Sequence, residues 1–267
     1  MSLYINTNLA AMGAADNLVN TDNELSTATE DLSSGLRINT AADDAAGYTI
    51  SQNLTGQMNG VGQASQNTQD AVSLVQTADG SLSEVEQMLQ QIRTLAVEYN
   101  NGTLSSTDQA AIVTEVNQLT SEIERIGTTA QFNGIYLLNA VQTITFQVGA
   151  NDGEVIAVST ISLGQAVGGT FSLGSSTAIA SIDAAINAVA GQDDTLGAVQ
   201  NRLQYTMDDL STYEENLTAA NSAIVDVNMA SEMTTFTNLQ ILQKSGTAVL
   251  AQANQLPQNI LSLIQNG

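Results

Sequence analysis

The run from Leu196 to Val227, LGAVQNRLQYTMDDLSTYEENLTAANSAIVDV, decides the fold. Leu196, Val199, Leu203, Thr206, Leu210, Tyr213, Leu217, Ala220, Ile224 and Val227 recur at alternating steps of three and four. Thr206 is the one clearly polar member. A seam held without slip over more than four heptads specifies a long helix that packs on others like it. No proline interrupts it, so one helix from Asp193 to about Ala253 is expected, roughly 90 Å long at about 1.5 Å per residue. Its stripe needs cover from other long helices, in the same chain or in neighbouring copies.

Moving toward the N-terminus, Gly191 and Gln192 lead into this helix, and Ala178 to Val189 reads as a separate short helix. Residues 160–180, rich in Gly, Ser, Thr and Ala, read as the least regular part. Before them the period changes to two. Ile144, Phe146 and Val148 share one face, Asn151-Asp152-Gly153 is a turn signal, and Glu154 to Ser159 resumes as a β-rich run, so residues 141–160 are expected to hold a hairpin.

A second long seam lies in residues 48–99: Val61, Ala64, Thr68, Ala71, Val75, Ala78, Leu82, Val85, Leu89, Ile92, Ala96 and Tyr99. Asn100-Asn101-Gly102-Thr103 ends it, because Asn and Gly tolerate the left-handed backbone. Ser106 and Asp108 offer caps for a third helix with Ile112, Val116, Leu119, Ile123 and Ile126 on one face. Helices two and three are therefore expected to be antiparallel neighbours. Residues 5–36 read as a first helix, with Ala11, Leu18, Leu25 and Leu32 spaced by sevens and Gly35 as its end. Residues 36–47 feed the next helix, with Asp43 and Asp44 as its caps.

Beyond Val227 apolar residues spread round the helix: Met229, Met233, Phe236, Leu239, Leu242, Val249, Leu250, Leu256, Ile260, Leu261 and Ile264. A helix that is apolar on most sides needs several partners. The first helix and the same segment in other copies are the expected ones, with packing inside one molecule as the alternative.

Composition narrows the chemistry. The 267 residues contain neither Cys nor His, which excludes thiol and imidazole catalysis, disulfides, and zinc or haem held by those ligands. There is no Trp and only four Phe, so the core is aliphatic. The five basic residues, Arg37, Arg93, Arg125, Arg202 and Lys244, face 27 acids, for a formal charge of -22. That balance repels nucleic acid and anionic membranes, and it opposes close packing of identical copies unless salt screens it. Residues 225–267 escape the excess, carrying only Asp226, Glu232 and Lys244. No run is long enough for a membrane-spanning helix, and the start, MSLYINTNLAAMG, does not read as a cleavable signal.

Several motifs, in order along nearly the whole chain, resemble those of bacterial flagellins: INTNLAAM, LSSGLRINTAADDAAGYTIS, QQIRTLAVE, QFNGIYLL, QVGANDGE, NLTAANSAI and QILQKSGTAVLAQANQLPQNILSLI. Positions around Ala42 and within residues 219–223, usually basic in the family, are neutral here. The resemblance implies a mainly α fold, a long antiparallel helical rod built from both chain ends with a small β-hairpin region. It implies an inner tube from residues 1–45 and 225–267, disordered in the free monomer. Residues 46–224 would form a rod domain, with a short variable region near 160–185.

The implied function is a subunit that polymerises with itself into the flagellar filament for swimming, secreted through the flagellar type III export apparatus. Implied partners are an export chaperone on the C-terminal helix and the hook-associated and cap proteins. No cofactor, metal, nucleic acid or membrane insertion is implied. Self-assembly would rest on Leu18, Leu25, Leu32, Met233, Phe236, Leu239, Leu242, Leu250, Leu256, Ile260 and Leu261. The rod seam would rest on Leu82, Val85, Leu89, Ile92, Leu203, Leu210, Leu217 and Ile224. Arg93, Leu95 and Glu115 match part of the surface by which flagellins engage an animal innate-immune receptor. Gln91 and Leu119 stand where strongly activating members carry arginine, so weak or absent activation is expected.

Three other readings fit the sequence less well. A hook–filament junction protein shares the N-terminal signature, but Leu250 to Leu263 is flagellin-like. A metallopeptidase insert needs an HExxH motif, which a chain without His cannot supply. For a glycan-bearing adhesin, Asn53-Leu54-Thr55, Asn101-Gly102-Thr103 and Asn216-Leu217-Thr218 fit the acceptor pattern, as chance readily provides in an Asn- and Thr-rich chain.

Overall fold

The computed structural model describes residues 7–167 and 171–265, with side chains up to residue 255. Ten elements follow in order: α1 (Leu9–Ser34), α2 (Ala45–Tyr99), α3 (Ser106–Thr129), β1 (Gln131–Phe132), β2 (Ile135–Tyr136), β3 (Thr143–Gln147), β4 (Val155–Ser159), α4 (Leu163–Ala166), α5 (Ala178–Val225) and α6 (Met229–Gln265). The fold is mainly α, as the heptads require. The chain divides into two compact units, residues 57–216 and residues 1–56 with 217–267; the division falls within α2 and α5.

The unit of residues 57–216 holds a closed aliphatic core. Leu82, Val85, Leu89 and Ile92 of α2 are fully buried with Val116 and Ile123 of α3 and Ile182, Val189 and Leu203 of α5. α2 and α3 run antiparallel: Gln109 Nε2 donates to the Tyr99 carbonyl near the connection, and Gln91 Nε2 donates to Glu115 Oε1 further away. Ser105, one residue earlier than expected, caps α3. Its hydroxyl accepts the Asp108 N–H at 3.3 Å and the Asp108 carboxylate accepts the Ser105 N–H at 3.1 Å, a reciprocal capping box.

The expected hairpin is present. β3 and β4 pair antiparallel with Thr143 opposite Ser159 and Gln147 opposite Val155, and Ile156 and Val158 turn into the core. A second, shorter hairpin, β1–β2, turns on Asn133 (φ 48°) and Gly134 (φ 80°). Both turn residues sit in the left-handed region that this tight turn demands. Residues 160–180, expected to be the least regular, include α4 and place Leu163, Phe171 and Leu173 in the core. The short helix expected at 178–189 is not separate. α5 runs unbroken through Gly191, and Gln192 is buried there with its Nε2 donating to the Ser159 carbonyl at 2.8 Å.

In the unit built from both chain ends, Asn8 caps α1, accepting the Ala11 N–H, and Gly35 ends it at φ 76°. Asp44 Oδ1 caps α2 through the Ala46 and Gly47 N–H groups. Asp43 instead turns back to the N–H groups of Asn39 and Thr40, and these bonds hold its carboxyl below the usual range.

The single helix expected from Asp193 to Ala253 is two. The chain leaves α5 at Val225 and restarts as α6 at Met229, because residues 225–227 pair with residues 35–37. Arg37 N donates to the Val225 carbonyl at 2.6 Å and Val227 N to the Gly35 carbonyl at 3.0 Å. Arg37 Nη2 also takes the free Ile224 carbonyl at the end of α5. Asn228 caps the new helix through the Ser231 N–H.

Candidate self-assembly surface

α1 and α6 pack side by side and antiparallel. Asn8 Nδ2 donates to the Ala253 carbonyl at 2.8 Å, Gly246 lies against Leu18, and Gln243 Nε2 donates to Asp22 Oδ1 at 2.8 Å. The covered stripe is narrow. Ala28, Leu239 and Ala253 are buried in it, while Leu18, Leu25, Leu32, Phe236 and Leu250 are half-buried. Met233 and Leu242 are exposed at 51% and 55%. Leu256, Ile260 and Leu261 lie in the last turns of α6, outside the residues whose side chains are described.

Other exposed apolar residues join them: Leu9, Met12, Val19 and Ile241, which the sequence pattern does not single out, and Met229 and Val249, which it does. Met12 and Val19 are seven apart, a spacing that marks a second apolar face on α1. Exposed apolar residues repeated along two packed helices have the make-up of an interaction surface. Asp31, at the end of α1, has its carboxyl raised by burial and by the charge of Asp43, against a hydrogen bond from Asn39.

The seam residues divide. Leu82, Val85, Leu89, Ile92, Leu203 and Leu210 are buried in the unit of residues 57–216. In the other unit Leu217 is buried and Ile224 half-buried. Arg93 and Glu115 engage different elements. Arg93 Nε binds Asp183 Oδ1 of α5 at 2.6 Å, whereas Glu115 accepts from Gln91, on the other flank of α2. Leu95 is half-buried against the core.

Asp193 is the most perturbed acid. Its Oδ1 is buried without a donor, and its pKa is pushed up to about 6. A hydrogen bond shared with the Asp79 carboxyl is the main cause; burial and the charges of Asp79, Glu86 and Asp194 add to it. Among the described residues, no cluster of His, Cys, Asp or Glu has the make-up of a metal site, and no helix is long and apolar enough to cross a membrane.

Comparison with known proteins identifies both the N-terminal and the C-terminal helical regions. The bacterial flagellin N-terminal helical region matches residues 5–143, and the bacterial flagellin C-terminal helical region matches residues 179–264. The chain belongs to the bacterial flagellin family.

Among its relatives, a flagellin of Halalkalibacterium halodurans is 46% identical, with 98% of this chain and all of that protein covered. A flagellin of Bacillus subtilis is 39% identical over 98% of this chain and all of its own. A flagellar filament 33 kDa core protein of Treponema phagedenis is 40% identical over the same shares. The crystal structure of Bacillus cereus flagellin superposes with a TM-score of 0.51 at 30% identity, covering 58% of this chain and 94% of that one.

Proposed function

We propose that this flagellin builds its filament by joining copies of itself through the outer faces of α1 and α6. Family membership makes the chain a structural filament subunit. The observation that carries the reading of the surface is the exposure of Met12, Val19, Ile241, Leu242 and Val249 on two helices already packed together. Buried apolar area contributes about 25 cal/mol per Å², so stacking these faces between copies is strongly favourable. Nothing favours the hook–filament junction reading over it.

The finer parts of the reading follow the family. Residues 1–45 and 225–267 form the inner tube, and the filament stands outside the cell. The chain leaves through the flagellar type III export apparatus, with a chaperone holding the apolar C-terminal helix and hook-associated and cap proteins at the filament ends. The chain has no enzymatic role. With Arg93 engaged by Asp183, and Gln91 and Leu119 in place of arginine, the receptor of animal innate immunity is activated weakly or not at all.

Deleting residues 225–267 tests the assembly role. Sedimentation and electron microscopy after salt addition should show filaments from the full chain and none from the truncated one. A truncated chain that still forms filaments would remove the role given to α6.

A further inference from the structure

The basic side chains are few enough to trace one by one. Arg93 holds Asp183 and Arg125 holds Glu122, each at 2.6 Å, and Arg37 donates to the Ile224 carbonyl. Arg202 and Lys244 are exposed and, among the described residues, have no ion-pair partner. Lys244 stands out further, because Glu232 is the only other charged residue on α6.

Helix geometry fixes where Lys244 lies. Gln243 faces α1, as its bond to Asp22 shows. At about 100° per residue, Leu242 and Val249 fall roughly 100–120° to one side of Gln243, and Met233, Thr237 and Lys244 roughly 80–120° to the other. The first flank borders a groove of about 540 Å³ between α1 and α6, lined by apolar Leu18, Leu242 and Val249 together with polar Asn17, Thr21 and Glu24, among others. Glu24 is the charged residue of that lining, and it is exposed. The second flank is a ridge of Met233, Thr237 and Lys244 with Ile241 beyond it. A groove that carries Glu24 and a ridge that carries Lys244 thus sit on opposite flanks of one helix pair, where a molecule cannot join them to each other.

We propose that the Lys244 ridge of one copy seats in the α1/α6 groove of a second copy, with the Lys244 ammonium on the Glu24 carboxylate. This rests on the filament reading above and names the contact. The aliphatic stem of Lys244 lies along Leu242 and Val249 of the receiving copy while its charged end reaches the groove rim. In a chain of charge -22, this places one of the two unengaged cations where copies meet and selects the register of docking. The contact is head-to-tail: each copy gives a ridge and receives one. Such contacts propagate into rings or open helical polymers, not closed two-fold dimers.

Charge reversal tests it in the full chain. Lys244→Glu and Glu24→Lys alter exposed positions, so the monomer should keep its circular dichroism spectrum. Each single variant should raise the critical concentration for assembly by about tenfold, and the double variant should return to within about threefold of the original. A single variant that assembles like the original, or a double variant no better than either single, overturns the contact.

Because the chain has no cysteine, a cross-link supplies a second readout. Glu24→Cys and Lys244→Cys chains, co-assembled with an excess of the original chain and oxidised, should give a disulfide dimer that neither variant gives alone. Co-assembled filaments without that mixed dimer also overturn the contact. If the original chain itself never sediments at any salt, the filament reading falls and the contact with it. The other contrary outcomes, seen with an assembling original chain, remove the contact alone.

Discussion

The α2 seam and the α6 helix carry similar aliphatic side chains and meet opposite fates. Leu82, Val85, Leu89 and Ile92 are fully buried in one core with residues of α3, α5, β4 and α4 and with Phe171 and Leu173. On α6, Met233, Ile241, Leu242 and Val249 keep about half their surface in water, although α1 lies alongside. The difference is one of partners. A seam of width two in seven is covered by the helices around α2, whereas one antiparallel neighbour covers only one stripe of a helix that is apolar on most sides. One unit thus closes its core within the chain, and the other leaves exposed apolar surface, which we propose further copies cover.

Substitutions of matched size break or sharpen this contrast. The largest effect is expected from Leu89→Ala, which empties a closed core and should cost about 2–5 kcal/mol in thermal or denaturant unfolding. Leu242→Ala removes as many atoms from an exposed site. It should change monomer stability by less than about 0.5 kcal/mol yet raise the concentration at which filaments sediment. Equal stability losses at the two sites would dissolve the distinction.

A smaller effect concerns Asp193 in the closed unit. A carboxyl whose folded pKa is raised from 3.8 to about 6 binds a proton more tightly in the fold. Stability should therefore fall as pH rises through that window and level off above it. Asp193→Asn should remove this slope and stabilise the unit near pH 7, by an amount of order 1 kcal/mol, in pH-dependent unfolding followed by circular dichroism.

The smallest effect is that of salt. Screening a charge of -22 should lower the critical concentration of assembly as ionic strength rises, while hardly moving the unfolding midpoint of the Leu89 core. Filaments indifferent to salt from millimolar to molar levels would show that the acids do not oppose stacking.

Much of this was legible in the heptads, because a period of three and four is a property of single helices and survives any arrangement of them. α1, α2, α3 and the 143–159 hairpin lie where their patterns place them, and Gly35 ends α1. The break between α5 and α6 was not legible. The seam runs on through Val227, and what stops the helix is a tertiary event, the pairing of residues 225–227 with residues 35–37. A local signal was there in Asn228, followed three residues on by Ser231, whose N–H it caps. The β1–β2 hairpin was readable from Asn133-Gly134 alone. The burial of Leu163, Phe171 and Leu173 was not, since scattered apolar residues in a Gly- and Ser-rich stretch carry no period. On the proposed assembly surface, periodicity points to Leu18, Leu25 and Leu32, which are half-buried against α6. The outward Met12, Val19 and Ile241 needed the position of α1 against α6 before their exposure had meaning.

Amide hydrogen exchange, compared between dilute monomer and sedimented filament, tests most directly whether the end helices wait for copies. Amides of α2 around Leu82 to Ile92 should be strongly protected in both states. Those of α1 and α6 should exchange fast in the monomer and slow by orders of magnitude in the filament. Equal protection of α1 and α6 in the two states would contradict the claim that their exposed faces are covered only by neighbouring copies.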